Sequence, residues 1–180
     1  MRLVGERVTL RPLARRDLPG LADMIRDERI YRYEPTYLPE LGASPEIALD
    51  RLSRQTLDAD RQWVLGVFVH MAPERLAGLA EFYDFKPSGK VVSIGYRLKP
   101  EVWGRGVGTD CVQTMLRFVR NDTGVELVTA HVMPDNLASA RVLMKNGFEL
   151  LLTKEEDWGH QQPVAADVYT LDCPRGTARP

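Results

Sequence analysis

The stretch Trp103-Gly104-Arg105-Gly106-Val107-Gly108-Thr109 follows an extended segment and opens straight into an amphipathic helical pattern. Its alternating glycines let the backbone approach a ligand closely, and the first turn of the helix leaves its amides free to donate. The positive end of the helix dipole adds to those N–H groups, so a phosphate or pyrophosphate is the natural guest. Two better-known phosphate loops do not fit. A Walker loop requires Gly-Lys-Ser/Thr, whereas Gly108 is followed by Thr109 and Asp110. The dinucleotide fingerprint requires G-x-G-x-x-G near the start of a βαβ unit, whereas this run is G-x-G-x-G and lies past the middle of the chain. Taken alone, the stretch fits a turn and helix start with nothing bound equally well.

Working outward, 180 residues at 44% hydrophobic and 27% charged make one globular domain with enough length for a sizeable core. Lys and Arg number 24 against 25 Asp and Glu, so the balance recruits neither nucleic acid nor an anionic membrane, and any anion must be bound locally. Cys111 and Cys173 lie far apart in no metal-ligand spacing and read as reduced and structural. His70, His131 and His160 share no metal spacing either, and each reads as structural or solvated, so no metal is expected. The N-terminus has no long apolar run and no segment reaches the length of a membrane span, which makes a cytoplasmic location the expectation.

Arg7 to Leu13 alternates apolar and polar and predicts a first strand, and Asp17 is positioned to cap a helix with Leu18, Leu21, Ala22 and Ile25 on one face. From Asp27 to Ala43 the chain is a tyrosine- and proline-broken loop, suited to lining a pocket or to packing on the core through its tyrosines. Ser44-Pro45 starts a second helix that the pattern carries to about Arg61. Trp63 to His70, Leu76 to Phe85 and Val91 to Leu98 are β-rich runs with short links, which predict an antiparallel meander. The glycine turn and its helix, ending near Asn121 to Gly124, then lead to a strand at Leu127 to Val132. Strand, helix, strand of this length predicts a right-handed parallel crossover that sets the strand ending at Leu98 beside the one ending at Val132. A further helix begins at Pro134-Asp135-Asn136 and closes at Gly147. Phe148 to Thr153 and Val164 to Asp172 predict two last strands paired with each other, and Pro174 to Pro180 a frayed tail.

This order of elements resembles that of the GNAT N-acetyltransferases. The resemblance is carried by Tyr96-Arg97-Leu98-Lys99-Pro100-Glu101-Val102 running into the glycine turn, then by Asn136-x-x-Ser139 leading to Lys145-Asn146-Gly147-Phe148. It covers roughly residues 5 to 172. Within the family the chain is most similar to the subgroup that acetylates ribosomal-protein N-termini, through Val8-Thr9-Leu10-Arg11-Pro12-Leu13 and the Trp-Gly-x-Gly turn.

The resemblance implies acetyl-CoA as donor and an amine as acceptor. It implies that the pyrophosphate lies on the amides of Arg105, Gly106, Val107, Gly108 and Thr109, and that the pantetheine arm pairs like an added strand with the segment Tyr96, Arg97, Leu98. Trp103 and Gly104 lead into that turn, and Asn136 and Ser139 would face the pantetheine and thioester. Arg105, Arg141 and Lys145 are candidates for phosphate contact, or equally an exposed basic face.

The sequence also departs from the family. Where many members carry a tyrosine as general acid, the matching position is Leu143. Ser139 becomes the substitute, either protonating the departing thiolate or merely hydrogen-bonding the chain or cofactor from the first helical turn. An acid often found before the Ile-Gly-Tyr stretch is replaced by Ser93. The remaining acids are Glu34, Glu81 and Asp84. Glu81 and Tyr83 share one strand face by the period of two, with Asp84 on the other. If that face lines the acceptor groove, Glu81 can take a proton through water or hold an ammonium; otherwise it is a solvated strand residue.

The reading is a single mixed α/β domain over residues 1–173, with a largely antiparallel sheet, one parallel strand pair and flanking helices. Its expected activity is acetyl transfer to a primary amine, on a protein N-terminus or a small molecule. A non-catalytic acetyl-CoA-binding module and a binder of another nucleotide are the rivals. Whether the chain forms a homodimer is left open.

Overall fold

The computed structural model describes residues 1–33, 44–56, 62–86, 90–158 and 162–173. Glu34 with the rest of the tyrosine–proline loop to Ala43, the turn Pro87 to Gly89, His160 and the tail lie outside the described residues. The strands are β1 (Leu3–Val4), β2 (Val8–Arg11), β3 (Trp63–Val69), β4 (Leu76–Lys86), β5 (Val91–Leu98), β6 (Leu127–Val132), β7 (Glu149–Glu156) and β8 (Val164–Asp172). The helices are α1 (Leu18–Arg26), α2 (Pro45–Arg54), α3 (Val107–Asp122) and α4 (Leu137–Lys145). The second helix stops at Arg54, with Gln55 extended, while residues 57–61 of its predicted extent lie outside the described residues; the short β1, which has no alternating pattern of its own, is formed by pairing with β2.

All eight strands join one sheet in the order β1-β2-β3-β4-β5-β6-β8-β7. The meander β3-β4-β5 and the parallel β5–β6 pair form as the sequence predicts. The last two strands pair with each other, and it is β8, the later one, that attaches to β6. Apolar side chains on one face of the sheet pack under α3 and α4, and those on the other face, among them Leu79, Val64 and Phe68, pack under α1 and α2. In the first layer Phe118 of α3 meets Trp63 and Phe82 edge-on at 5.5 and 5.4 Å between ring centroids, a favoured aromatic geometry. Among the described residues no helix is long and apolar enough to cross a membrane.

Two buried carboxylates fix the frame. Asp17 does not cap α1 with its side chain as predicted; it accepts two bonds from the Arg11 guanidinium, at 2.7 and 2.9 Å, and one from the Ala14 N–H. The competing partner wins because a charged, bidentate guanidinium donor holds a carboxylate more strongly than a backbone N–H does. The same guanidinium lies 3.7 Å over the Phe68 ring. Asp110, in the first turn of α3, accepts the backbone N–H groups of Glu6, Arg7 and Val8 at 3.1, 2.8 and 3.0 Å, and so ties the β1–β2 turn to the start of that helix. Its position at a helix N-terminus also suits a negative charge. Asp110→Ala leaves three amides without an acceptor and is expected to cost about 3 kcal/mol. Urea unfolding checks this: a midpoint equal to that of the parent would refute the tie.

Candidate active site

Strands β5 and β6 share only three rungs, Val91, Val92 and Ser93 against Leu127, Val128 and Thr129. The hydroxyls of Ser93 and Thr129 close the last rung at 2.8 Å. Beyond it β5 stays with β4 as far as Leu98, while β6 stays with β8 as far as Val132. The two strands therefore part, and among the described residues the β6-facing edge of β5 from Ile94 onward has no strand partner. A cavity of about 910 Å³ fills the opening, at the upper end of the range for small-molecule sites.

Because side chains alternate along a strand, the opening joins both faces of the sheet. On the α3/α4 face Tyr96 meets Ser139, whose helix α4 is capped by the Asn136 side chain accepting from the Ser139 N–H at 3.2 Å. Burial pushes the Tyr96 phenol up to about 12, only partly opposed by its hydrogen bond with Ser139, so it is a neutral O–H across the physiological range. Leu143, in the position of the family tyrosine, is buried and lines the same cavity.

On the opposite face stand Ser93, Gly95, Arg97 and, from the neighbouring strand, Glu81. Glu81 is no solvated strand residue: it is 6% exposed, and its Oε1 lies 3.3 Å from the Arg97 guanidinium. Among the described residues its Oε2 is buried with no hydrogen-bond partner. The carboxylate occupies the space above Gly95, where an added Cβ would come within 3.0 Å of Oε1. Asp84 also lines this cavity, against the expected alternation, because the β4–β5 register shifts after Tyr83 and Asp84 takes a left-handed φ of 51°.

The glycine turn lies past the end of β5. Gly104 and Gly106 hold φ of 71° and 76°, a region costly for other residues, and Gly106 is the N-cap of α3 with no side-chain cap. The first-turn amides are thus left without a competing side chain. Trp103 donates its indole N–H to the Leu98 carbonyl at 2.8 Å, which fixes the end of β5 to the turn. Gly104, Arg105 and Gly106 are exposed, while Val107 is buried in the core. Asn146, which the sequence reading placed only within a motif, donates to the carbonyls of Thr109 and Val142 at 3.2 and 2.9 Å and clamps α4 to α3. Its neighbour Lys145 is exposed, as is Arg141, and neither is among the residues that line the cavity.

The sequence reading missed His131. It lines the cavity, and its Nδ1 lies 2.8 Å from the Glu156 carboxylate. Glu156 also accepts from the Trp158 indole and pairs with Lys154, both at 2.8 Å. Its burial raises the carboxyl pKa, but the bonds from Lys154, His131 and Trp158 outweigh that and hold it below its ordinary value. The only local signal was that Thr129 and His131 alternate with the apolar Val128, Ala130 and Val132.

Comparison with known proteins agrees with this arrangement. The family model described as "Acetyltransferase (GNAT) domain" matches residues 7–149. The "Uncharacterized N-acetyltransferase YoaA" of Bacillus subtilis (strain 168) is 25% identical over 177 residues, 96% of this chain and 97% of the relative. Among solved structures, RimL, a ribosomal L7/L12 alpha-N-protein acetyltransferase in complex with coenzyme A, superposes with a TM-score of 0.78 at 19% identity over 98% of this chain and all 100% of its own. Spermidine N-acetyltransferase from Vibrio cholerae, with CoA and spermine, gives 0.75 at 17% identity over 94% and 97%. The parted strands, the glycine turn and the match across most of the chain together make this protein a member of the GNAT acetyltransferase family.

Proposed function

We propose that the protein transfers the acetyl group of acetyl-CoA directly to a primary amine, and that this amine is the α-amine of a protein N-terminus. The observation that carries the proposal is the opening between β5 and β6, bordered by Tyr96, Asn136 and Ser139 on one side and by the buried Glu81 carboxylate on the other. The diphosphate fits the free amides of Arg105 to Thr109. The pantetheine amides fit the unpaired edge of β5 from Tyr96 to Leu98, as an added strand would. Asn136 and Ser139 border the thioester.

On the other face, Glu81 Oε2 is an unused acceptor that suits a primary ammonium, which brings its own three donors. The amine attacks the thioester carbonyl from that side, and the departing thiolate meets the hydroxyl pair of Ser139 and Tyr96 on the other. Holding the two reactants in line supplies up to roughly 7–11 kcal/mol in well-oriented systems, more than a proton donor does. Likeness to RimL supports an N-terminal α-amine as acceptor. Likeness to spermidine N-acetyltransferase, taken with the buried Glu81 carboxylate of this chain, supports a small polyamine as the second reading.

Mass spectrometry of acetyl-CoA mixed with peptides bearing free N-termini and with polyamines decides between these acceptors; acetyl-CoA binding with no acetylated product from either class would refute the proposal. Gly106→Glu brings charge and bulk to the diphosphate and is expected to weaken CoA binding by about two orders of magnitude; unchanged calorimetric affinity would remove the turn from the site. Ser139→Ala is expected to lower kcat by about tenfold or more at unaltered CoA affinity. Glu81→Gln is expected to raise the KM for the amine by about tenfold with a smaller change in kcat, and an unchanged KM would end its role.

A further inference from the structure

We infer that His131 is the general base that takes a proton from the acceptor ammonium, with Glu156 positioning its ring. The inference rests on the amine-acetylation reading above and assigns the one step that reading leaves without a residue.

An amine is protonated at neutral pH and cannot attack until it loses a proton. Glu81 is committed to the Arg97 guanidinium and serves to hold the ammonium rather than to deprotonate it. His131 is the second residue past the last rung that β5 and β6 share, so it projects on the same face as Ser93 and Arg97, from the opposite wall of the opening. It borders the cavity that Glu81, Tyr96 and Ser139 also border. Since an ionised carboxylate only accepts hydrogen bonds, the 2.8 Å contact with Glu156 assigns the proton to Nδ1. That leaves the Nε2 lone pair, which among the described residues has no hydrogen-bond partner. Lys154 and Trp158 in turn hold Glu156, so the ring is oriented by a built network rather than by one contact.

The proton balance closes. The ammonium gives one proton to Nε2, and the neutral amine forms the C–N bond. Collapse breaks the C–S bond, and the sulfur leaves with its electron pair and takes a proton from the Ser139 and Tyr96 pair. The second proton on nitrogen restores that donor through water, and the imidazolium releases the first to solvent. One acetyl-CoA and one ammonium become one amide, one CoA thiol and one proton.

Ionisable groups from β4, β5 and β7 line the cavity that His131 borders. Glu156 and Lys154 come from β7, Asp157 from just beyond it and Arg97 from β5; Glu81 comes from β4, with Asp84 and Lys86 farther along. β8 contributes only the apolar Val168 opposite. Glu156 is the carboxylate in direct contact, so neutralising it removes the charge that faces an imidazolium at Nδ1.

The test measures acetyl-CoA turnover against pH, with a peptide bearing a free N-terminal α-amine and with spermidine, in the full chain and in His131→Gln, His131→Ala and Glu156→Gln. The histidine variants are expected to lose about two orders of magnitude in kcat at neutral pH. They should keep CoA affinity by calorimetry and lose the acidic limb of the kcat/KM profile. Added imidazole should restore part of the activity to His131→Ala, and Glu156→Gln should lower kcat less than the histidine variants do while keeping the acidic limb. Parent-like turnover in His131→Gln with the limb intact would overturn the inference while acetyl transfer stands. A loss of activity with the limb unmoved and no imidazole rescue would also overturn it, leaving the histidine a packing role. Acetyl-CoA binding in the parent without CoA release to either amine would overturn acetyl transfer itself, and this step with it.

Discussion

The early parting of β5 and β6 is the constraint on which the site depends. A parallel pair that continued to Leu98 and Val132 would satisfy its backbone groups and seal the sheet, and the two faces would be separate surfaces. Three rungs and a Ser93–Thr129 hydroxyl contact end the pairing instead. Each strand can leave the other because each has a second neighbour, β4 for β5 and β8 for β6, that holds it along its length. The unpaired edge is a row of hydrogen-bonding groups with definite spacing, and an amide-containing chain can pair with it as a strand would.

The surroundings hold that opening rigidly. The turn that ends β5 is fixed by the Trp103 indole on the Leu98 carbonyl, and α3 is fixed at its start by Asp110 on the β1–β2 turn. Asn146 joins the end of α4 to the first turn of α3. Phe118 anchors the middle of α3 on Trp63 and Phe82. The hydrogen bonds among these that span distant parts of the chain, from Asp110 and Asn146, are partly or wholly buried, which is where a bond to a charged or amide group retains most of its strength. Reactants that must meet within a few tenths of an ångström need such a frame more than they need any single reactive group.

The cleft is also divided electrically. One wall presents neutral hydroxyls, Tyr96 and Ser139, with the phenol kept protonated by burial. The other carries Glu81 against Arg97 and His131 against Glu156 and Lys154, so each carboxylate arrives with a cation of its own. Such pairing makes burial of charge tolerable. Among the described residues it still leaves the buried Glu81 Oε2 without a hydrogen-bond partner.

Much of this was legible in the chain. The glycine run, the strand before it and the helix after it are local, and local propensity and periodicity sufficed to identify the turn, the meander and the parallel crossover, while the family entered through the resemblance of quoted motifs. Ser139 and Asn136 were singled out through the resemblance, whose motif places them within one helical turn. The sequence could not tell that Glu81 is buried against Arg97, since an acid on an alternating strand looks the same whether its face meets water or a cleft. It could not foresee Asp84 turning into the cavity, because a bulge depends on the register of two strands. The contact of His131 with Glu156 was hidden for a like reason: the two lie 25 residues apart, on strands that β8 separates in the sheet. The sequence by itself determined which elements form and in what order, since those follow from short-range spacing. Which side chains share the cavity, and which charges face one another there, was decided only when the sheet closed over long range and two of its strands separated.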